Sequence, residues 1–232
     1  MAKSIKLSDR LQAIADYIEN GAVVIDIGTD HGFLPVYLVQ NGLADRVIAS
    51  DISMGSLESA RGSARKHGVS DMITFTIASG LSGVDESMVD TVVVAGLGGE
   101  SIAGILAEAP WTKSRGIRLV LQPQSKTGEL CSFLRDSGYT LKGAKLTLDN
   151  DRIYVVLLVN GGGSDSTLEP ELELIARLLH SGDPLLGVYL DGLIAISRKK
   201  LNGMKNSKVP EILEAALKLS TYLSMKEVYE SM

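Results

Sequence analysis

"YTLKGAKLTLDNDRIYVVLLV", Tyr139 to Val159, decides how this chain folds. Its strand-forming runs, Tyr139–Leu148 and Ile153–Val159, are separated only by Asp149-Asn150-Asp151-Arg152. A parallel crossover needs about a dozen residues or more, so this connection closes an antiparallel hairpin. Upstream, short β-branched runs alternate with helical stretches. Strands are expected at Val23–Ile27, Arg46–Ser50, Ile73–Ile77, Thr91–Ala95 and Arg118–Gln122, with helices near Leu34–Gln40, Gly55–His67, Glu100–Ala107 and Thr127–Ser137. Strands this continuously apolar belong in a parallel sheet covered on both faces. An amphipathic helix precedes them, with Leu7, Leu11, Ile14, Ala15 and Ile18 on one face and Ser8 as its N-cap. The fold class is therefore α/β, a doubly wound, Rossmann-like sheet closed by an antiparallel hairpin.

After the hairpin, Gly161-Gly162-Gly163-Ser164-Asp165-Ser166 reads as a linker. Beyond it, Leu185 to Met204 and Ile212 to Leu223 carry apolar residues at three- and four-residue spacing, broken between Asn206 and Pro210. That pattern suits a coiled-coil-like helical hairpin. The expected organisation is one domain over residues 1–163 and a helical hairpin domain over 164–232.

Composition narrows the setting. The chain has 232 residues and a formal charge of −5. No apolar stretch approaches the ~20 residues of a membrane span, and none is expected. The first residues lack the apolar region of a secretory signal, and Cys131 is the only cysteine, so the expected location is cytoplasmic. A metal is not expected. The acidic balance counts against a polyanionic partner unless basic residues are concentrated locally.

Ligands of open α/β sheets bind beyond the carboxyl ends of the strands. The first end reads Asp26-Ile27-Gly28-Thr29-Asp30-His31-Gly32. Asp30 would set a negative charge against the pyrophosphate of a dinucleotide, which disfavours NAD. A parallel sheet closed by a hairpin is instead the usual architecture of methyltransferases that use S-adenosylmethionine, whose sulfonium and ammonium attract carboxylates. Asp51 and Ile52 follow the second strand, where an acid can accept hydrogen bonds from both ribose hydroxyls. Ser79, Gly80 and Leu81 follow the third and are placed to meet adenine. Ala95-Gly96-Leu97-Gly98-Gly99 ends the fourth and leaves room for donor and acceptor to meet. Each has a plainer reading: Asp30 and His31 as caps of the next helix, Asp51 as another cap, and the glycines as a tight turn.

Taken together, Leu7-Ser8-Asp9-Arg10-Leu11, "IDIGTDHGFLP", "AGLGGESI", "LVLQPQ" and "RIYVVLLV" resemble the bacterial tRNA (adenine-22-N1)-methyltransferase family over essentially the whole α/β domain. The resemblance implies methyl transfer from S-adenosylmethionine to N1 of an adenine in the D-arm region of tRNA. It implies cofactor contacts from Asp26, Gly28, Asp51 and Gly80, and a substrate side built from Arg10, Asp30, His31, Gly96 and Gln122-Pro123. The chain departs from the family pattern at Gln124 (Asn in the family), Val155 (Glu) and Leu97 (often Met). Gln124 puts a direct amide contact to the base in question, and Val155 implies that a carboxylate there is dispensable.

Adenine N1 has a free lone pair at neutral pH, so positioning outweighs base catalysis. The product is cationic until N6 loses a proton, and a carboxylate near the pairing edge would offset that charge. Asp30 is the first candidate and the Asp149-Asn150-Asp151 turn the second. The base must be unpaired or flipped, with Phe33 or Tyr154 as a stacking partner, although Tyr154 also suits the core. Leu97, Gly98, Gln122, Pro123 and Gln124 are expected on the substrate side. Arg198, Lys199, Lys200, Lys205 and Lys208, with Lys3, Lys6 and Arg10, are expected to capture tRNA, although such runs also serve as solvated helix faces and the hairpin also suits dimerisation. The expected state is a monomer or weak homodimer. A methyltransferase for another substrate, or a nucleotide-sensing protein without catalysis, are the alternatives.

Overall fold

A computed structural model of the chain describes residues 5–114, 117–163, 166–204 and 207–232. Lys3, Lys205, Asn206 and the Ser164-Asp165 part of the linker lie outside the described residues. The strands are β1 (Ala22–Ile27), β2 (Ala44–Asp51), β3 (Ile73–Ile77), β4 (Thr91–Leu97), β5 (Arg118–Pro123), β6 (Tyr139–Asp149) and β7 (Arg152–Gly161). They form one seven-stranded sheet in the order β3-β2-β1-β4-β5-β7-β6. β1 to β5 are mutually parallel, and β7 is antiparallel to both β5 and β6. β6 consequently runs in the same direction as the parallel strands and delivers its end to their carboxyl side.

Around the sheet lie α1 (Asp9–Ala15), α2 (Phe33–Gln40), α3 (Met54–His67), α4 (Gly99–Ala107), α5 (Trp111–Ser114) and α6 (Thr127–Asp136). The central strands are buried on both faces, as their unbroken apolar runs require: Val92, Val93 and Val94 in β4 and Leu119, Val120 and Leu121 in β5 have no exposed surface. Each such side chain contributes about 1.5–3 kcal/mol by leaving water. Ser8 caps α1 by accepting a hydrogen bond from the Leu11 N–H at 3.4 Å. The hairpin is tighter than the sequence spacing suggests. Asp149 pairs with Arg152, leaving Asn150 and Asp151 as a two-residue turn with φ of 49° and 60°, a type I′ geometry that matches the strand twist.

By contacts the chain divides between Leu174 and Ile175, inside α7 (Pro170–His180). The second unit contains α8 (Leu186–Gly203) and α9 (Val209–Glu230), which pack against each other. Lys226 on α9 joins them by donating to the Gly187 carbonyl at 3.0 Å and pairing with Asp191 at 2.8 Å. Among the described residues no helix is long and apolar enough to cross a membrane.

Candidate active site

The strand order reverses between β1 and β4, and a cleft of about 920 Å³ opens beyond their carboxyl ends. β1 leads into it through Gly28, whose φ of +76° is readily open only to glycine. Asp26, at the strand end, is only 5% exposed, and burial pushes its carboxyl up to about 6. The Thr29 hydroxyl opposes that rise, and the negative charge of Asp51 adds to it. The hydroxyl oxygens of Thr29 and Ser50 are buried without a hydrogen-bond partner.

Asp51 is oriented by its backbone neighbours. One carboxylate oxygen accepts from the Ser53 N–H at 2.8 Å and the other from the Asp30 N–H at 3.2 Å. It does not cap α3, since Ser53 holds that position. Asp30 and His31 do not cap α2 either: its N-cap is Gly32, with no side-chain hydrogen bond. Both helix-cap readings of the sequence are thereby replaced. Asp30 sits at a φ of 49°, its side chain 71% exposed and 3.7 Å from His31 Nε2. His31 Nδ1 lies 2.7 Å from Ser59 Oγ, and its ring is 5.5 Å from Phe33, which is itself exposed. So open a contact between carboxylate and imidazole adds little stability.

The opposite wall gathers residues distant in sequence. Arg10, from the first turn of α1, donates to Gln122 Oε1 at 2.8 Å, approaches Asp149 Oδ2 to 3.9 Å and lies over the Tyr154 ring at 5.8 Å. The pairing of β4 with β5 slips between Ala95 and Leu97, forming a bulge at Gly96, whose φ is +79°. The bulge sends the Gly96 N–H to the same Gln122 oxygen at 3.2 Å.

The structure brings Arg10, Asp26, Gly28, Thr29, Asp30, His31, Phe33, Asp51, Ile52, Ser79, Gly80, Ala95, Gly96, Leu97 and Gln124 to the cleft, and Asp149 and Asn150 with them. Seven expected site residues do not line it. Leu81 is buried, Gly98 is the N-cap of α4, and Gln122 and Pro123 are buried at the end of β5. Arg198, Lys199 and Lys200 lie exposed on α8 in the second unit. Lys6, Ser56 and Ile105 also line the cleft. Burial pushes the Cys131 thiol up to about 12, with the nearby Glu171 and Glu173 charges adding to the effect, so it is not poised as a nucleophile. Among the described residues no cluster of His, Cys, Asp and Glu could hold a metal.

A carboxylate-lined cleft at the switch point of a parallel sheet closed by a hairpin defines a methyltransferase, and residues 7–157 match the Methyltransferase domain family. The chain is 37% identical over 166 residues to the tRNA (adenine(22)-N(1))-methyltransferase of Bacillus subtilis (strain 168), covering 71% of this chain and 69% of that protein. It belongs to that family. Its structure resembles the B. subtilis M1A22 tRNA methyltransferase TrmK (27% identity, TM-score 0.78, covering 98% and 99% of the two chains). It also resembles M. capricolum TrmK in complex with S-adenosyl-homocysteine (28% identity, TM-score 0.80, covering 94% and 98%).

Proposed function

We propose that this protein transfers a methyl group from S-adenosylmethionine to N1 of adenine 22 in the D-arm region of tRNA, in the cytoplasm, as a monomer or weak homodimer. The observation carrying this reading is the cleft itself, which sets carboxylates on the cofactor side against Arg10, Gly96 and Gln124 on the other. The residues fit the cofactor. Its cationic groups suit Asp26 and Asp51, and the buried Thr29 and Ser50 hydroxyls lack partners. When bound, S-adenosylmethionine supplies an electrophilic methyl on a sulfonium.

Asp51, held by the Ser53 and Asp30 amides, accepts the ribose hydroxyls; Asp26 compensates the cofactor's positive charge; and Ile52, Ser79 and Gly80 border adenine. The Gly96 bulge and Leu97 leave space for N1 to approach the methyl. Asp30 accepts a hydrogen bond from the base's N6 amine and offsets the positive charge that develops as N1 is methylated. Phe33 supports the flipped base. Residues 192–210 contain five cationic side chains and no Asp or Glu, concentrating positive charge where an overall acidic chain needs it to hold RNA.

Incubation with total tRNA and methyl-labelled cofactor, followed by nucleoside identification, tests the reading. Label in 1-methyladenosine at position 22 is expected. Label in another nucleoside or in protein, or no transfer at all, would overturn it.

A further inference from the structure

Gln122 closes the apolar run Leu119-Val120-Leu121 and has no exposed surface. A buried amide is costly unless its hydrogen bonds are made. Here Oε1 accepts from Arg10 Nη1 at 2.8 Å and from the Gly96 N–H at 3.2 Å, while Nε2 donates to the Pro123 carbonyl at 2.9 Å. The orientation is thereby fixed: turning the amide over would face its NH2 toward two donors and its oxygen toward a carbonyl. One oxygen atom ties α1 to the bulge of β4.

Arg10 is held from three directions, by Gln122, Asp149 and the Tyr154 ring. A guanidinium has five N–H donors, and Gln122 and Asp149 do not use them all. Arg10 lines the cleft beside Gly96, on the acceptor side, and a nucleotide rotated out of its helix brings its phosphate with it.

We propose that Gln122 is a positioning residue for methyl transfer: through Arg10 and the Gly96 backbone it fixes the wall that receives the phosphate of the acceptor nucleotide. The inference rests on the methyl-transfer reading above. Gln122 touches neither substrate nor cofactor, and its effect on the reaction passes through Arg10.

The test compares Gln122→Met, Gln122→Glu, Arg10→Ala and the double variant Gln122→Met/Arg10→Ala. With cofactor affinity close to the parent's, Gln122→Met should slow single-turnover methylation of tRNA roughly 100-fold, the scale of misplacing a reacting group by about an ångström. Gln122→Glu keeps an acceptor for Arg10 and Gly96 but turns an oxygen toward the Pro123 carbonyl, so it should recover only part of the rate. The double variant should be no slower than Arg10→Ala alone, the non-additivity expected of residues acting as one unit. Multiplying rate losses, or a parental rate in Gln122→Met, would overturn the proposal. Should Gln122→Met not fold, Gln122→Asn, which withdraws the amide by one methylene, carries the same expectations. Nitrogen-15 spectra provide a readout independent of any acceptor. The Arg10 Nη1–H signal, identified by its loss in Arg10→Lys, should be sharp in the parent and broadened by solvent exchange in Gln122→Met. An unchanged signal overturns the proposal, whereas a parent that shows the expected signal yet methylates no tRNA overturns the functional reading alone.

Discussion

Replacing Asp26 by Asn tests how much stability the fold sacrifices to keep a carboxylate inside the cleft. Burial raises this group from 3.8 to about 6, with the Thr29 hydroxyl opposing the rise and the Asp51 charge adding to it. One pKa unit corresponds to 1.36 kcal/mol, so a rise of roughly two units amounts to about 3 kcal/mol. Below pH 3.8 the group is protonated in both the folded and unfolded chain and contributes nothing. Between 3.8 and about 6 the unfolded chain loses its proton first, so stability falls as pH rises, and above about 6 the whole penalty is present. Asn cannot ionise. Asp26→Asn should therefore exceed the parent's stability by up to about 3 kcal/mol near pH 7.5, with the gap closing toward pH 4. Urea unfolding across that range measures the gap as a shift in midpoint at constant slope. The same variant should bind S-adenosylmethionine less tightly, and the parent's own affinity should decline below about pH 6 as Asp26 retains its proton. A gap that does not change with pH, or a parent more stable than the variant near pH 7.5, would refute the reasoning.

Asp51→Ala should weaken cofactor binding by roughly 1.5–3 kcal/mol, the range for hydrogen bonds to a charged group, and calorimetry showing parental affinity would remove Asp51 from the site. Asp30→Ala should bind cofactor nearly as well as the parent yet methylate tRNA at least ~100-fold more slowly in single turnover, with Asp30→Asn recovering little. Parental rates in both Asp30 variants would shift the charge-offsetting role to Asp149. Alanine at Arg198, Lys199 and Lys200 together should weaken tRNA binding and reduce its log–log salt slope by roughly two to three, as counterion release predicts; an unchanged slope would assign that face to another task.

The sheet was legible because its signals are local. The apolar runs of β1 to β5 and the four residues between Leu148 and Ile153 set direction and pairing without reference to the rest of the chain. The same locality explains the placement of Asp149, which follows once β6 is known to run with the parallel strands. α7 was harder to read because it begins only a few residues after the glycine run, although Leu174, Ile175 and Leu178 follow helical spacing. Gln122 shows that adjacency to the cleft does not give the form a role takes. A polar residue ending an apolar strand invites a role in the cleft, but the side chain is consumed by Arg10 and Gly96, partners that only the folded chain brings near. Leu81 and Pro123 are likewise buried, since standing beside a strand end does not decide which way a side chain faces. Ser56 and Ile105 reach the cleft from outside the strand-end loops, and no local motif marks them.

The bond between Arg10 and Gln122 spans 112 residues of sequence, and Asp149 and Tyr154 lie further on still. On a ribosome adding about 5–20 residues per second, α1 emerges on the order of ten seconds before the hairpin that completes its surroundings. The strands that form the cofactor side, β1 to β4, are all synthesised in that interval. The nascent chain thus holds both Arg10 and Gln122 before the hairpin that completes the clamp on Arg10. Translation that stalls before Asp149 leaves Arg10 without its Asp149 and Tyr154 contacts.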